Sequence, residues 1–183
     1  MMVEDNFLDN YQEFRSHCDR LKFHGEICPI DGQTYPAISS QIPPEVLNEI
    51  YFKIELVMGC EIDPKFIFMR LTTEGEYCPH QAHNDLSMAQ WTFLLYLNKN
   101  EHCQGGTDFV KHIHGRDVED WATDHSDPEK WEIVENCEMR ENRACIFEAG
   151  KMHRAQPLGG FGQNEEDGRL VLICFFNADP ISH

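Results

Sequence analysis

The sequence predicts a mainly β domain, a double-stranded β-helix or jelly roll with helices packed on its outside. Three observations predict it. Runs of apolar, β-branched and aromatic residues of strand length recur at 65–72, 91–97, 144–147 and 170–176. Clusters of Gly, Asn, Asp and Pro punctuate the chain between them. Helical periodicity is confined to two stretches, both before residue 60. Many short strands and few helices are what a closed antiparallel β architecture requires.

Taken in order, residues 5–17 carry Phe7, Leu8, Tyr11 and Phe14 at helical spacing and predict a short amphipathic helix. Residues 20–42 hold Cys28-Pro29, Asp31-Gly32 and Tyr35-Pro36, which predict loop and turns. Pro43-Pro44 then opens a stronger helix, with Val46, Leu47, Ile50, Ile54 and Val57 on one face and Gly59 as its stop. Residues 65–72 alternate as a strand that Glu74-Gly75-Glu76 turns. The buried-looking strand 90–98 follows, and Gly105-Gly106 leads into 107–110, expected to pair antiparallel. Residues 111–130 turn hydrophilic, and an excursion of that length is either a substrate-covering lid or a disordered insert; Trp121 favours the lid, with a short helix around 118–122. Strands at 131–138, 143–147 and 169–177 complete the set, with 158–167 as a solvated loop. The division expected is one domain over 1–183: helical support in 1–64, jelly-roll core in 65–178, lid in 111–130.

Composition bounds the partners. Fifteen basic residues against thirty-two acidic ones give a formal net charge of −17, which repels phosphate backbones and anionic lipid, so neither duplex nucleic acid nor membrane is an expected partner. Residues 1–14 are acidic without an apolar segment, and no run has the length of a membrane span. The eight cysteines include no CxxC pair. Reduced thiols and a cytoplasmic location are the expectation.

The chemistry is carried by histidines and one carboxylate. His83 and Asp85 stand two residues apart just ahead of strand 91–97, and alternate side chains near a strand end reach the same side. The His-x-Asp spacing recurs at His17/Asp19 and His125/Asp127, but neither of those precedes a buried strand. A distant His153 supplies the third member of a 2-His-1-carboxylate set, which holds iron and leaves one face of it open. Arg169 opens the following apolar strand and offers a fork for a carboxylate. Tyr96 is read with near-equal weight as site residue or core. His112 and His114, spaced His-x-His, read as solvated, and Arg116, Trp121, Arg154 and Trp91 are candidates for substrate contact only.

These motifs, in this order, resemble the Fe(II) and 2-oxoglutarate-dependent dioxygenases, and within them the prolyl 4-hydroxylase-like branch. The matching residues are His83-Asn84-Asp85, Thr92, Tyr96-Leu97-Asn98, Gly105-Gly106-Thr107-Asp108-Phe109, His153 and Gly168-Arg169-Leu170-Val171, spread over residues 66–178. The resemblance implies a cupin-like jelly roll with iron held by His83, Asp85 and His153. It implies 2-oxoglutarate held by Arg169 with Tyr96 and Thr92. It implies O2 as oxidant, ascorbate as an optional reductant, and hydroxylation of a C–H bond of a small molecule or peptide, peptidyl proline or an amino acid among them. Succinate and carbon dioxide would be released.

Two features depart from the pattern. Arg169 follows His153 at a longer interval than in many relatives, so residues 158–167 form an insertion. His80-Gln81-Ala82 mimics the halogenases, which lack the carboxylate; with His80 as ligand, Asp85 would be a bystander. The alternative from another class is a non-redox cupin-like protein that binds a metal or ligand. Neither the substrate nor the oligomeric state is legible.

Overall fold

The structure is a computed structural model and describes residues 1–30, 32–76, 81–115 and 123–178. Ten strands and two α-helices follow one another in it. They are β1 (Met2–Glu4), α1 (Tyr11–Cys18), β2 (His24–Ile27), β3 (Thr34–Ser39), α2 (Pro44–Met58), β4 (Ile62–Thr72) and β5 (Trp91–Tyr96). Then come β6 (Gly106–His112), β7 (Trp131–Glu138), β8 (Ala144–Glu148), β9 (His153–Gln156) and β10 (Arg169–Ala178). Seven strands form one sheet in the order β1-β8-β5-β10-β4-β3-β2, and three form another in the order β7-β6-β9. All pairings are antiparallel. This is the jelly roll that the strand pattern predicts.

Strand β10 is covered on both faces. Leu170, Leu172, Cys174 and Phe176 join Phe14 of α1 and Ile50 and Ile54 of α2 in one buried cluster. Val171, on the opposite side, joins Leu94, Tyr96, Phe109, Phe147 and Phe161 in the cluster between the sheets. The helix α2 ends where Gly59 takes a left-handed conformation (φ 70°), which a glycine adopts without a Cβ penalty. At Gly106 (φ 139°) a Cβ would stand 2.0 Å from the Cys137 carbonyl oxygen, so the Gly-Gly entry to β6 is imposed by the approach of β7. Phe93 is fully buried between β5 and the helices, with its ring 5.1 Å from that of Phe7. Truncating it leaves a void that neither layer fills, so Phe93→Ala is expected to cost about 3–5 kcal/mol, read as a lower midpoint in urea unfolding.

Four expectations differ from the structure. Residues 1–64 contribute strands as well as helices: β1 pairs with β8, and the β2–β3 hairpin occupies the span read as loop and extends the large sheet beyond β4. Phe7 and Leu8 are buried but precede the first helix, which starts at Tyr11. Strand β6 does not pair with β5. It lies in the other sheet between β7 and β9, because the 97–105 connection crosses from one layer to the other.

The loop 158–167 is more than a solvated excursion. Phe161 plugs the cluster between the sheets, and Arg15, 1% exposed, donates to the Glu165 carbonyl at 2.7 Å. Asp167 accepts from the Gln163 and Asn164 N–H groups, which holds its carboxyl below the usual carboxylate range. No helix among the described residues is long and apolar enough to cross a membrane.

Candidate metal centre

His83 and Asp85 lie in the segment between β4 and β5, and backbone bonds place them. The His83 N–H donates to the His153 carbonyl at 3.0 Å, and the His153 N–H returns the bond to His83 at 2.8 Å. This isolated antiparallel bridge puts the two imidazoles side by side, ring centroids 4.4 Å apart. The Asp85 N–H donates to the Ala149 carbonyl at 2.8 Å, just beyond β8. Two segments far apart in sequence, 83–85 and 149–153, therefore meet through main-chain bonds, before any metal is considered.

The side chains converge. Asp85 Oδ1 is 3.6 Å from His83 Nε2, and Oδ2 is 3.4 Å from His153 Nε2. One ligand atom from each residue lies within 4.8 Å of the others. Ligands about 2.1 Å from one ion stand about 3 Å apart at right angles, so this set fits a divalent ion with a small inward movement.

The tautomers agree with that. His83 Nδ1 is 3.2 Å from the Gln81 carbonyl and His153 Nδ1 is 3.0 Å from the Lys151 carbonyl. A carbonyl can only accept, so each Nδ1 carries the proton and each Nε2 keeps the lone pair that binds a metal. Thr92 on β5 donates to Asp85 Oδ2 at 2.8 Å and fixes the carboxylate plane. Phe147 packs edge-on to the His153 ring, with centroids 4.8 Å apart, and Phe109 lies behind it. His153 and Asp85 are buried, whereas the His83 side chain is one-third exposed and faces the open side.

That side is a cavity of about 380 Å³ between the inner face of β10 and β4 and the β2–β3 hairpin. Asp85, His83, Phe66, Phe68, Phe175 and Arg70 are among its walls. Arg169 is not among them. It is buried at the start of β10 and donates from Nη2 to the Gly106 carbonyl at 3.1 Å. Gly106 lies three residues along β6 from Phe109, the partner of His153, or about 10 Å at 3.3 Å per residue. Tyr96 is fully buried nearby, its hydroxyl 2.9 Å from Thr107 Oγ1 and 3.1 Å from the Cys137 carbonyl. Burial pushes its phenol up, opposed in part by the Arg169 charge.

The remaining sequence candidates fall elsewhere. His112 is buried rather than solvated: its Nε2 meets Asp124 at 2.9 Å, and its ring lies edge-on to Trp131. Residues 123–130 are accordingly folded as two 3-10 turns, and the His125 carbonyl accepts from Ala82 beside His83. The central part of the predicted lid, with Arg116, Trp121 and the helix read at 118–122, lies outside the described residues, as does His80. Trp91 packs toward the helices, and Arg154 is buried 3.5 Å from Asp108. Sequence reading missed the Gln81 and Lys151 carbonyls, for which a backbone acceptor leaves no signal. It also missed Arg70, whose signal was available: an arginine on the inward side of an alternating strand, in step with Phe66 and Phe68.

No family model and no curated protein matches the sequence. Solved structures do match. SnoN, described as the non-heme alpha ketoglutarate dependent epimerase from nogalamycin biosynthesis, aligns with a TM-score of 0.60 at 15% identity, over 96% of this chain and 76% of its own. This chain shares the fold of SnoN. A second SnoN structure, in complex with Fe3+, alpha ketoglutarate and nogalamycin RO, aligns with a TM-score of 0.58 at 15% identity, covering 96% and 77% of the two chains. AviO1 from Streptomyces viridochromogenes Tue57 aligns at 0.56 and 11% identity, over 98% of this chain and 89% of that one. At such identities the likeness to SnoN and AviO1 is one of fold, and the chemistry has to be argued from the side chains.

Proposed function

We propose that this protein is an Fe(II)- and 2-oxoglutarate-dependent oxygenase that hydroxylates a C–H bond of a small molecule or peptide. The observation that carries the reading is the pair of Nε2 lone pairs and one carboxylate turned toward a common point. His83, Asp85 and His153 would hold the metal, and a set of only three protein ligands would leave one side of it open to 2-oxoglutarate and O2. The bound iron would supply the oxidising chemistry, with succinate and carbon dioxide leaving. The chain's own part is positioning and exclusion.

Thr92 keeps the Asp85 carboxylate from rotating. Arg169 would receive the distal carboxylate of 2-oxoglutarate: its guanidinium lies about 10 Å of strand from the partner of His153. Tyr96 and Thr107 line the interval with hydroxyls. Phe109 and Phe147 exclude water from the His153 side, which strengthens the charge-assisted contact of Arg169. The presence of Asp85 in the ligand set favours hydroxylation over the halogenase pattern. The SnoN fold also serves an epimerase, so the product decides the outcome. The prolyl 4-hydroxylase-like branch is the reading that the sequence motifs favour, which puts peptidyl proline and amino acids into the first substrate panel.

The test is anaerobic loading with Fe(II), then admission of O2 and measurement of succinate with and without candidate substrates. Succinate that depends on iron supports the reading, and a gain of one oxygen atom in a substrate supports hydroxylation. Absence of iron-dependent succinate from fully loaded protein overturns the reading in favour of a binding cupin. Arg169→Ala should raise the 2-oxoglutarate KM on the order of tenfold to a hundredfold, the worth of a charge-assisted hydrogen bond, while iron affinity stays constant.

A further inference from the structure

The bridge that carries both metal histidines has a second face. Successive side chains along paired strands point to opposite sides, so with the His83 and His153 rings together on one side, Ala82 and Met152 lie on the other. The Val110 N–H continues the pairing by donating to the Met152 carbonyl at 2.9 Å. On that face Ala82, Val110 and Trp131 are buried in a small cluster of their own, with Met152 packed against it. The residue just before each metal histidine therefore rests on the same plate, and the Trp131 indole is its largest member.

Polar bonds hold the plate from outside. Trp131 is 6% exposed, and its indole Nε1–H donates to the Asp124 carbonyl at 2.9 Å. His112 pairs with Trp131 across β6 and β7 and lies edge-on to its ring, with centroids 5.1 Å apart. The His114 N–H donates to His112 Nδ1 at 3.2 Å, so Nε2 carries the proton and donates to the Asp124 carboxylate at 2.9 Å. In the same turn, Asp124–Ser126, the His125 carbonyl accepts the Ala82 N–H at 2.9 Å. One short turn thus grips the indole, β6 and the chain leading into His83.

We propose that Trp131 is a positioning residue for the metal centre, bracing the His83–His153 bridge from the side opposite the rings while the Asp124–Ser126 turn locks the indole in place. The bridge is isolated, joined by two main-chain bonds. So short a pairing opens locally unless packing covers it. A bridge held shut keeps the two Nε2 atoms in place before an ion arrives, which favours its binding. The inference rests on the oxygenase reading only for the role of that ion.

The test is residue-resolved amide hydrogen exchange of the whole metal-free chain, alongside Mn(II) titration. In Trp131→Ala, exchange at Ala82, His83 and His153 should quicken roughly tenfold beyond any change at the β10 amides of Leu172 and Cys174. Mn(II) should bind roughly tenfold more weakly. Trp131→Phe keeps a ring on the plate and should recover most of both. Phe93→Leu loosens the other core cluster; it should leave Mn(II) affinity unchanged and quicken the bridge amides no more than those of β10. Bridge amides in Trp131→Ala that change no more than those of β10 overturn the inference, as does quickened exchange with Mn(II) affinity intact. Should Trp131→Ala fail to melt cooperatively, Asp124→Ala, at a partly exposed position, carries the same test with both effects smaller and the same results overturning it. A wild type that takes up no Mn(II) sinks the oxygenase reading, while the exchange measurements still decide whether Trp131 braces the bridge.

Discussion

Asp85→Ala should abolish divalent-metal binding and, with it, 2-oxoglutarate turnover. Asp85 is the one anion of the set and stands between the two imidazoles, 3.6 and 3.4 Å from their Nε2 atoms. Two neutral nitrogens remaining on a hard ion cannot compensate its dehydration, which a carboxylate does by charge. The fold should survive, because the main chain of residue 85 is held by its N–H bond to Ala149 and by the Met88 N–H bond to its carbonyl, and neither needs the side chain. The measurement is thermal unfolding with and without Mn(II). At a hundred times its Kd the ion stabilises wild type by about 2.7 kcal/mol, and the variant should show no shift. A variant that still binds metal and forms succinate would remove Asp85 from the ligand set and return the halogenase-like arrangement around His80 to consideration.

Thr92→Val should weaken metal binding without touching a ligand. Valine has the shape of threonine and the same β preference, so β5 keeps its register between β10 and β8. What disappears is the 2.8 Å bond to Asp85 Oδ2. A partner of this kind is worth about ten- to a hundredfold in metal affinity. The metal-free protein should lose about 1.5–3 kcal/mol, because a buried carboxylate oxygen gives up its donor. Direct titration with Mn(II) reads the first effect and urea unfolding the second. Thr92→Ser restores the hydroxyl and should recover most of both. Wild-type metal affinity in the valine variant would show that the carboxylate is oriented by other means.

Elements whose signals are local were legible. The helix α2 announced itself with Pro44 at its start, an apolar stripe from Val46 to Val57 and Gly59 at its end, and the structure places it at Pro44–Met58 with Gly59 left-handed. Strand β5 stood out because both its faces are buried, which makes the run from Trp91 to Leu97 continuous rather than alternating. The β2–β3 hairpin was not legible. Strand β2 is exposed throughout at the edge of the sheet and β3 is buried only at Ile38 and Ser39, so little buried periodicity marks them, and Cys28-Pro29 and Tyr35-Pro36 read as turns. Phe161 shows the converse: a single plug residue inside a run of Gly, Asn and acidic residues, whose burial depends on the strands around it.

For the site, residue types and order in the sequence were enough to put forward His83, Asp85 and His153 as candidates, whose ligand atoms the structure brings together: a following strand separated the His-x-Asp pair from the two others of that spacing, and flanking strands marked His153. The sequence also determined the fold class, through the number and length of its apolar runs. Tertiary structure alone decided which groups meet. The reciprocal bonds between His83 and His153 join residues seventy positions apart, and no local pattern encodes a contact of that range. It also decided that Arg70, not Arg169, lines the cavity reached by His83. That follows from strand register, which pairs Arg70 with Val171 and is set by how whole faces pack rather than by any one residue.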